Sequence, residues 1–402
     1  MTSTAIERAD LAALTDEAAG SMLTLFLGEE FGLTSWRVHA IHHRVGGGVS
    51  VGYSVHGHRE DAYVVASSAR VDEASLTENA GHIFDYEGRR YFVWRFPFDP
   101  QLPGLALACK ASALSDFLGT DVEVELLAYR PTRRAVVKAT GEQTYFVKVV
   151  PRTSVQGVVA RLTLASESLP TPELVRATDD GVVVSREVPG VPLSRFLASD
   201  PTPQDIDAMF VNLRSLLDAM SHRLVSLKPR KAWAQRADAY GVAAAAAFPA
   251  ISDDAIELGK AIRRFVEVTD YGPVVPTHGD FYEANVFVDP KHWQISGIID
   301  LDTLGPGHRA HDWGCLLGHM SVLEDLSPAR YHGVARIVQR WRDLAAQEVG
   351  QAALGASAAG VVLSLVAGPA KARKRGWQGH CQARFDIARQ WFSYAQGASD
   401  TI

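Results

Sequence analysis

Alternation of hydrophobic and polar positions predicts three groups of β-strands along this chain. The first group covers residues 37–53, 62–71 and 89–98 and follows a stretch of helical spacing over residues 5–26. The second group is formed by three runs between residues 122 and 150, which are separated by the turn sequences Pro131-Thr132 and Gly141-Glu142. The third group consists of short apolar runs between residues 274 and 299.

Helical periodicity predicts most of the remaining chain, including residues 205–227, 252–268 and the part that follows residue 314. Residues 352–370 are uncharged and rich in Ala, Gly and Ser, with Pro369 near the end. We interpret this stretch as a buried, tightly packed helix and not as a membrane span. Strands early in the chain and helices late in it predict an α+β fold.

Composition and charge indicate which broad class of protein the chain belongs to. The 402 residues are 47% hydrophobic, which is enough for two or three domains or lobes. The net charge of −6 gives no argument for a nucleic-acid or membrane partner. Three cysteines without a CxxC pair favour a reduced, cytoplasmic protein over a disulfide scaffold, and the first residues lack the pattern of a signal peptide.

Residues 274–314 contain the strongest candidate chemistry. Asp280, Asn285 and Asp300 each lie beside a short apolar run, where a scaffold holds a polar group that still reaches solvent. The turn that begins at Asp289 brings the chain back, so a hairpin would gather two carboxylates and an amide in one small volume. Hard oxygen ligands of this kind suit Mg²⁺ on phosphates, and the remaining carboxylate of Asp280 would accept a proton from an attacking hydroxyl.

The segments HGDFYEANVFV and GIIDLDTLGPGHRAHDWG resemble the catalytic segment of the aminoglycoside phosphotransferase and choline kinase-like family. The members are small-molecule kinases. The ordered motif is carried here by His278, Gly279, Asp280, Asn285, Asp300 and Asp312. The resemblance implies a bilobal protein-kinase-like fold, with a small β-rich N-lobe and a mostly helical C-lobe.

The resemblance also implies a role for each motif residue. Asp280 would be the catalytic base, and Asn285 and Asp300 would hold Mg²⁺ between the β- and γ-phosphates of ATP. Lys148, inside the apolar strand TYFVKVV, would bind the α- and β-phosphates. Supporting roles are expected for His278, Asp302 and Asp312: the first steadies the metal side or the loop backbone, the second is a metal-side or structural carboxylate, and the third caps the loop near His278.

On this basis we divide the chain into a small mixed α/β cap domain (1–116), a kinase N-lobe with the hinge (117–190) and a helical C-lobe (191–402). One departure from the family pattern stands out. The helix after Lys148 lacks the acid that usually pairs with this lysine, so Glu167, Gln156 and Asp300 are the candidate partners.

Two features favour a small acceptor over a protein. Gly279 stands where protein kinases carry an arginine, and only eleven residues separate Asp300 from Asp312, which leaves little room for an activation loop. The expected reaction is ATP-dependent phosphorylation of a hydroxyl on a sugar, amino sugar or aminoglycoside. A cationic acceptor would need acids nearby, and those close in sequence are Glu283, Asp302, Glu324 and Asp325.

Two alternative functions are considered. The missing helix acid favours a nucleotide-binding pseudokinase or interaction protein. A metal hydrolase would instead use a cluster of His278, Asp280, His311 and Asp312.

Overall fold

The computed structural model describes residues 3–44, 46–372 and 375–397. The chain forms two compact units. The first contains Met1–Val159 and Glu173–Glu187, and the second contains Ala160–Pro172 and Val188–Ile402.

The first unit begins with two helices and a five-stranded antiparallel sheet. These elements are α1 (Ser3–Ala13), α2 (Glu17–Phe31), β1 (Ser35–Arg44), β2 (Gly48–His56), β3 (Asp61–Ser67), α3 (Glu73–Glu78), β4 (His82–Tyr86) and β5 (Arg89–Arg95). The strand order is β1-β2-β3-β5-β4. The helical spacing over residues 5–26 corresponds to two helices, because the chain turns after Ala13 and Asp16 adopts an extended conformation before α2.

A second five-stranded antiparallel sheet follows in the same unit. Its elements are α4 (Leu105–Cys109), α5 (Ala111–Leu118), β6 (Glu123–Arg130), β7 (Arg134–Thr140), β8 (Thr144–Val149), α6 (Val155–Ser166), β9 (Leu174–Ala177) and β10 (Val182–Arg186). The order β6-β7-β8-β10-β9 matches that of the first sheet. Buried and half-buried positions alternate along β7 and β8, and Lys148 lies on the half-buried face of β8.

A buried polar network joins the two sheets. The Asp99 carboxylate accepts hydrogen bonds from the Tyr129 hydroxyl at 2.7 Å and from the Thr132 amide at 2.8 Å. The Trp94 indole N–H of the first sheet donates to the same Tyr129 hydroxyl at 3.2 Å. Because Trp94 and Asp99 are buried, this network sets the junction at which the chain leaves the first sheet and enters the second.

The second unit is mostly helical. It contains β11 (Val191–Pro192), α7 (Ser194–Leu197), α8 (Pro203–Asp218), α9 (Ala237–Ala247), α10 (Ser252–Val268), β12 (Val275–Thr277), β13 (Val286–Val288), β14 (Ile295–Ile298), β15 (Gly305–Gly307), α11 (Arg309–Met320), α12 (Leu323–Leu326), α13 (Pro328–Tyr331), α14 (Val334–Val349), α15 (Gln351–Leu365), α16 (Gly368–Ala372) and α17 (Trp377–Ala395). Its short strands form a β11-β13-β14 sheet and a β12-β15 pair. A β-rich first unit that begins with an extra α/β layer, and a helical second unit, confirm the predicted fold class.

Helix α15 is the core helix of this unit. Within the described residues, Gln351–Ala370 is long and apolar enough to cross a membrane, but 67% of it is buried inside the protein. It packs against α11 and α17. Glycines make this close packing possible: a Cβ at Gly355 would lie 2.9 Å from the Cα of Ala395, and one at Gly360 would lie 2.4 Å from that of Ala234. The expectation of a tightly packed, buried helix over residues 352–370 is confirmed as far as Leu365, where α15 ends and a turn leads into α16.

Candidate active site

The loop that follows β12 carries the HGD motif, and its backbone requires glycine at the second position. Gly279 has φ of 77°, in the left-handed region. A Cβ there would meet the Thr303 carbonyl oxygen at 3.0 Å. The loop therefore turns sharply after His278 and presents Asp280, which is half-buried, on the far side of the turn.

His278 is fully buried, and its imidazole ring bonds to backbone groups. Its Nε2 donates to the Ile299 carbonyl at 3.0 Å, and its Nδ1 accepts from the Asp280 amide at 3.3 Å. Both bonds fit one neutral tautomer, and burial lowers the pKa of this imidazole to about 4. His278 therefore ties the loop to the end of β14, next to Asp300.

Asp312, in the first turn of α11, anchors the same loop from the opposite side. Its carboxylate accepts from the His278 amide at 3.0 Å and from the Gly279 amide at 2.8 Å. Burial raises the pKa of Asp312 to about 6, although these two amide bonds act in the other direction. The Thr303 hydroxyl adds a bond to the His278 carbonyl.

The β13–β14 hairpin brings Asn285 and Asp300 next to this loop. The Asn285 side-chain amide nitrogen donates to the Asp280 carbonyl at 2.9 Å, and the Ile299 amide donates to the Asn285 carbonyl at 2.9 Å. Asp300 follows directly, with φ of 57°, in a left-handed conformation that aspartate tolerates better than most residues. The structure therefore gathers Asp280, Asn285 and Asp300 at one end of a single hairpin.

The donor set fits Mg²⁺. The hydrogen bond to the Asp280 carbonyl uses the nitrogen of the Asn285 amide, which leaves the amide oxygen as its ligand atom. Asp300 supplies a carboxylate from the adjacent strand end. Two hard oxygen donors, with further positions for water and phosphate, match the preference of this ion.

The remaining predicted site residues lie in two places. Asp302 is half-buried in the 3-10 turn Leu301–Thr303 that follows Asp300. Lys148 lies in the first unit on β8, opposite Val136 of β7 and Val183 of β10. Among the candidate partners of Lys148, Glu167 forms an ion pair with Arg223 at 2.6 Å.

Sequence reasoning missed two neighbours of Asp280 on α11. An Asp280 carboxylate oxygen, the Cys315 sulfur and a ring nitrogen of His319 lie within 4.8 Å of one another. His319 stacks on the Tyr282 ring at 4.2 Å, and burial lowers its pKa to about 4, so this imidazole is neutral. The only signal in the sequence is the spacing of four between Cys315 and His319, which places both on one helix face.

The metal-hydrolase cluster has no support in the described residues. His278 and Asp312 use their polar atoms on the loop backbone, and the His311 Nδ1 accepts from the His308 amide at 3.3 Å. The described group whose ligand atoms converge is instead Asp280 with Cys315 and His319.

The solved structures that are similar to this chain include aminoglycoside phosphotransferases. A thermostable mutant of aminoglycoside phosphotransferase APH(4)-Ia is 16% identical with a TM-score of 0.48 and covers 69% of this chain and 98% of its own. A putative aminoglycoside phosphotransferase from Ralstonia eutropha is 14% identical with a TM-score of 0.48, covering 72% and 99%. Plasmodium vivax ethanolamine kinase is 11% identical with a TM-score of 0.44, covering 69% and 84%.

These structural likenesses are too distant to carry an argument about function, and a comparison with curated proteins found no match. The family assignment rests on sequence. The family model APH, described as "Phosphotransferase enzyme family", matches residues 131–348, which is more than half of the chain. The match spans the strand of Lys148, the loop of Asp280 and the hairpin of Asp300, and it confirms the family resemblance of the catalytic segment. The chain belongs to the phosphotransferase enzyme family.

Proposed function

We propose that this phosphotransferase moves the γ-phosphoryl group of ATP to a hydroxyl of a small molecule of the sugar, amino sugar or aminoglycoside class. The observation that carries the proposal is the bond from the Asn285 amide to the Asp280 carbonyl, which holds a base beside a pair of oxygen ligands. A carboxylate that is held in this position can accept a proton from the attacking hydroxyl.

In the proposed reaction, the Asp280 carboxylate binds the acceptor hydroxyl and takes its proton. The acceptor oxygen forms a bond to the γ-phosphorus while the bond from this phosphorus to the β-phosphate oxygen breaks, and ADP leaves. Buried anchors keep the base in place: His278 and Asp312 hold the loop backbone on both sides of Gly279.

Asn285 and Asp300 would hold Mg²⁺, which supplies charge neutralisation on the β- and γ-phosphates when it is bound. Lys148 would bind the α- and β-phosphates as a point charge. Asp302 would support the metal side of the loop. We assign the protein to the cytoplasm, because its cysteines are free thiols. We also keep the division at residues 116 and 190 into cap, N-lobe and C-lobe as part of this proposal.

The test is a coupled ADP-release assay with Mg-ATP over sugars, amino sugars, aminoglycosides and choline. Acceptor-dependent ADP release is expected from the wild type, and Asp280→Ala is expected to lower it by about a thousandfold. A pseudokinase would bind nucleotide without acceptor-dependent release. That result, or wild-type turnover in Asp280→Ala, contradicts the proposal.

A further inference from the structure

The stretch Lys228–Arg236, here called the basic segment, links α8 to α9 and is placed against the catalytic loop. It contains Lys228, Arg230, Lys231 and Arg236 and no acidic residue. The Trp233 indole N–H donates to the Gly279 carbonyl at 3.2 Å, directly before Asp280. At its start, the Lys228 carbonyl lies 3.5 Å from the position of a Cβ on Gly305 of β15.

The basic segment is held in a defined position. Ala234 is buried, and its backbone lies so close to Gly360 of α15 that a Cβ there would clash with it. The Gln235 side chain accepts from the Ala232 amide at 2.9 Å. The segment is docked on the catalytic loop at Trp233 and on the core helix at Ala234, so its charges are presented at a fixed place.

The guanidinium of Arg236 packs against the aromatic rings of Trp233 and Tyr240. The Arg236 guanidinium carbon lies 5.0 Å from the Trp233 ring centroid and 5.4 Å from that of Tyr240. Burial raises the pKa of Tyr240 to about 12, with Arg236 and Arg230 acting in the opposite direction and Asp280 in the same one. The charges of Arg230, Arg236 and Asp280 therefore all lie within electrostatic range of a single hydroxyl.

The acids that a cationic acceptor would require are engaged elsewhere. Glu283 is 6% exposed, so its carboxylate lies inside the protein. Asp325 pairs with His380 at 2.7 Å and with Arg384 at 3.6 Å. Glu324 accepts from the Ala335 amide at 3.2 Å. Of the four acids close in sequence to the site, Glu283 is thus buried, and Glu324 and Asp325 already accept bonds from other groups. The basic segment contributes no acid of its own.

We propose that the acceptor carries an acidic group, a carboxylate or a phosphate, near the hydroxyl that is phosphorylated, and that Arg230 and Arg236 bind this group. The proposal rests on the proposed phosphotransfer by Asp280 and names its substrate class. Guanidinium groups suit both anions because they present paired donors in a fixed plane. Aromatic faces at Trp233 and Tyr240 suit the apolar face of a sugar ring or carbon skeleton.

The first experiment measures kcat/KM of the full chain with Mg-ATP for compounds that share ring hydroxyls and differ in charge. Glucose, glucosamine, glucuronate and glucose 6-phosphate form such a set, and the last two separate carboxylate from phosphate recognition. An acidic member is expected to exceed glucose by about tenfold or more and glucosamine by more still. Better turnover of glucose, glucosamine or an aminoglycoside overturns the proposal while leaving the Asp280 mechanism intact.

The second experiment compares charge-removing variants. Arg230→Gln and Arg236→Gln are each expected to raise the KM for the acidic acceptor by about tenfold to a hundredfold, with the KM for ATP nearly unchanged. Arg223→Gln is the matched control, because Arg223 is an exposed cation just upstream that is paired with Glu167. It is expected to leave both KM values unchanged.

Arg230 is exposed, so its variant retains the fold and keeps the test decisive if Arg236→Gln is unstable. A rise in the KM for ATP without a change in that for the acceptor would assign the basic segment to the nucleotide and overturn the proposal. Absence of turnover with every acidic, neutral and cationic compound would overturn both this inference and the proposed function.

Discussion

The two five-stranded sheets of the first unit share their strand order and connections, and they differ in what covers their faces. Each has three strands in sequence, a helix, and a hairpin whose second strand pairs with the third strand. In the first sheet, consecutive residues such as Val64, Val65 and Ala66 are all fully buried. In the second, buried and half-buried residues alternate along β7 and β8.

The burial of both faces has a physical origin in the N-terminal helices and in the junction. One face of the first sheet packs against Leu14, which lies between α1 and α2, and against Leu23 of α2, and the other packs around Trp94 and Leu76. The main core of the second sheet lies on one face, beneath α4 and α5, and a smaller cluster of Val150, Val155 and Val183 covers the other face at β10. The same topology therefore gives central strands that are enclosed on both faces in the first sheet and, along β7 and β8 of the second, one face that stays half-buried.

The position of Lys148 illustrates the difference in burial between the two sheets. Lys148 is the second-last residue of β8, and the second-last residue of β3 is Ala66, which is fully buried. A cation at Ala66 would be enclosed on both sides, at a large desolvation cost. On this comparison, we expect the first sheet to act mainly in stability and the second to carry the proposed phosphate contact of Lys148.

The largest expected effect comes from Trp94→Ala in the first sheet. Removing this fully buried ring should lower the free energy of unfolding by about 3–5 kcal/mol, because it leaves a cavity and takes a donor from Tyr129. Urea unfolding measures the loss. Ile41→Ala is the control, since Ile41 is 46% exposed in the same sheet and should change stability by only about 0.5 kcal/mol. A raised KM for ATP in the folded Trp94→Ala variant would break the comparison.

Lys148→Ala should produce the largest catalytic effect within the first unit. Loss of a fixed cation that stabilises phosphate charge should lower kcat/KM for ATP by about a hundredfold. Lys138→Ala is the matched control: Lys138 pairs with Phe146 on the neighbouring strand and belongs to the same half-buried face. Steady-state kinetics at varied ATP separate the two variants, and equal losses would show that the face lacks a specific phosphate ligand.

A smaller effect is expected from Asp99→Asn at the junction. Burial raises the pKa of Asp99, so the folded protein takes up a proton at a pH where the unfolded chain is ionised. The wild type should therefore lose stability relative to Asp99→Asn as pH rises from the ordinary aspartate value through the raised one, by about 1.4 kcal/mol for each pKa unit. Urea unfolding across this pH range measures the slope, and parallel curves would contradict a buried, ionisable junction.

Secondary structure could be predicted where residues close together in the sequence determine it. Turn residues separate β6, β7 and β8, and the predicted strands there agree with the structure. The strand β15, Gly305–Gly307, has no strand propensity of its own and exists through its pairing with β12. Helix α10 spans Ser252–Val268, as the helical periodicity predicted.

Only those site residues that lie close to one another along the chain could be predicted from the sequence. Motif spacing predicted that Asp280, Asn285 and Asp300 lie on one hairpin, because turn and strand lengths are local properties. Motif spacing did not predict that His319, Cys315 and the basic segment lie beside the catalytic loop. The packing of α11 and α15 brings them there. Tertiary packing selects such neighbours, and a single sequence carries no pattern for it.

The most direct test of the central claim measures Asp280→Asn in single-turnover transfer of the γ-phosphoryl group, together with its affinity for ATP. The variant preserves the size of the side chain and removes its ability to accept the proton. We predict an ATP dissociation constant close to that of the wild type and a transfer rate lower by about a thousandfold. Transfer at the wild-type rate would contradict the assignment of Asp280 as the base that drives phosphoryl transfer.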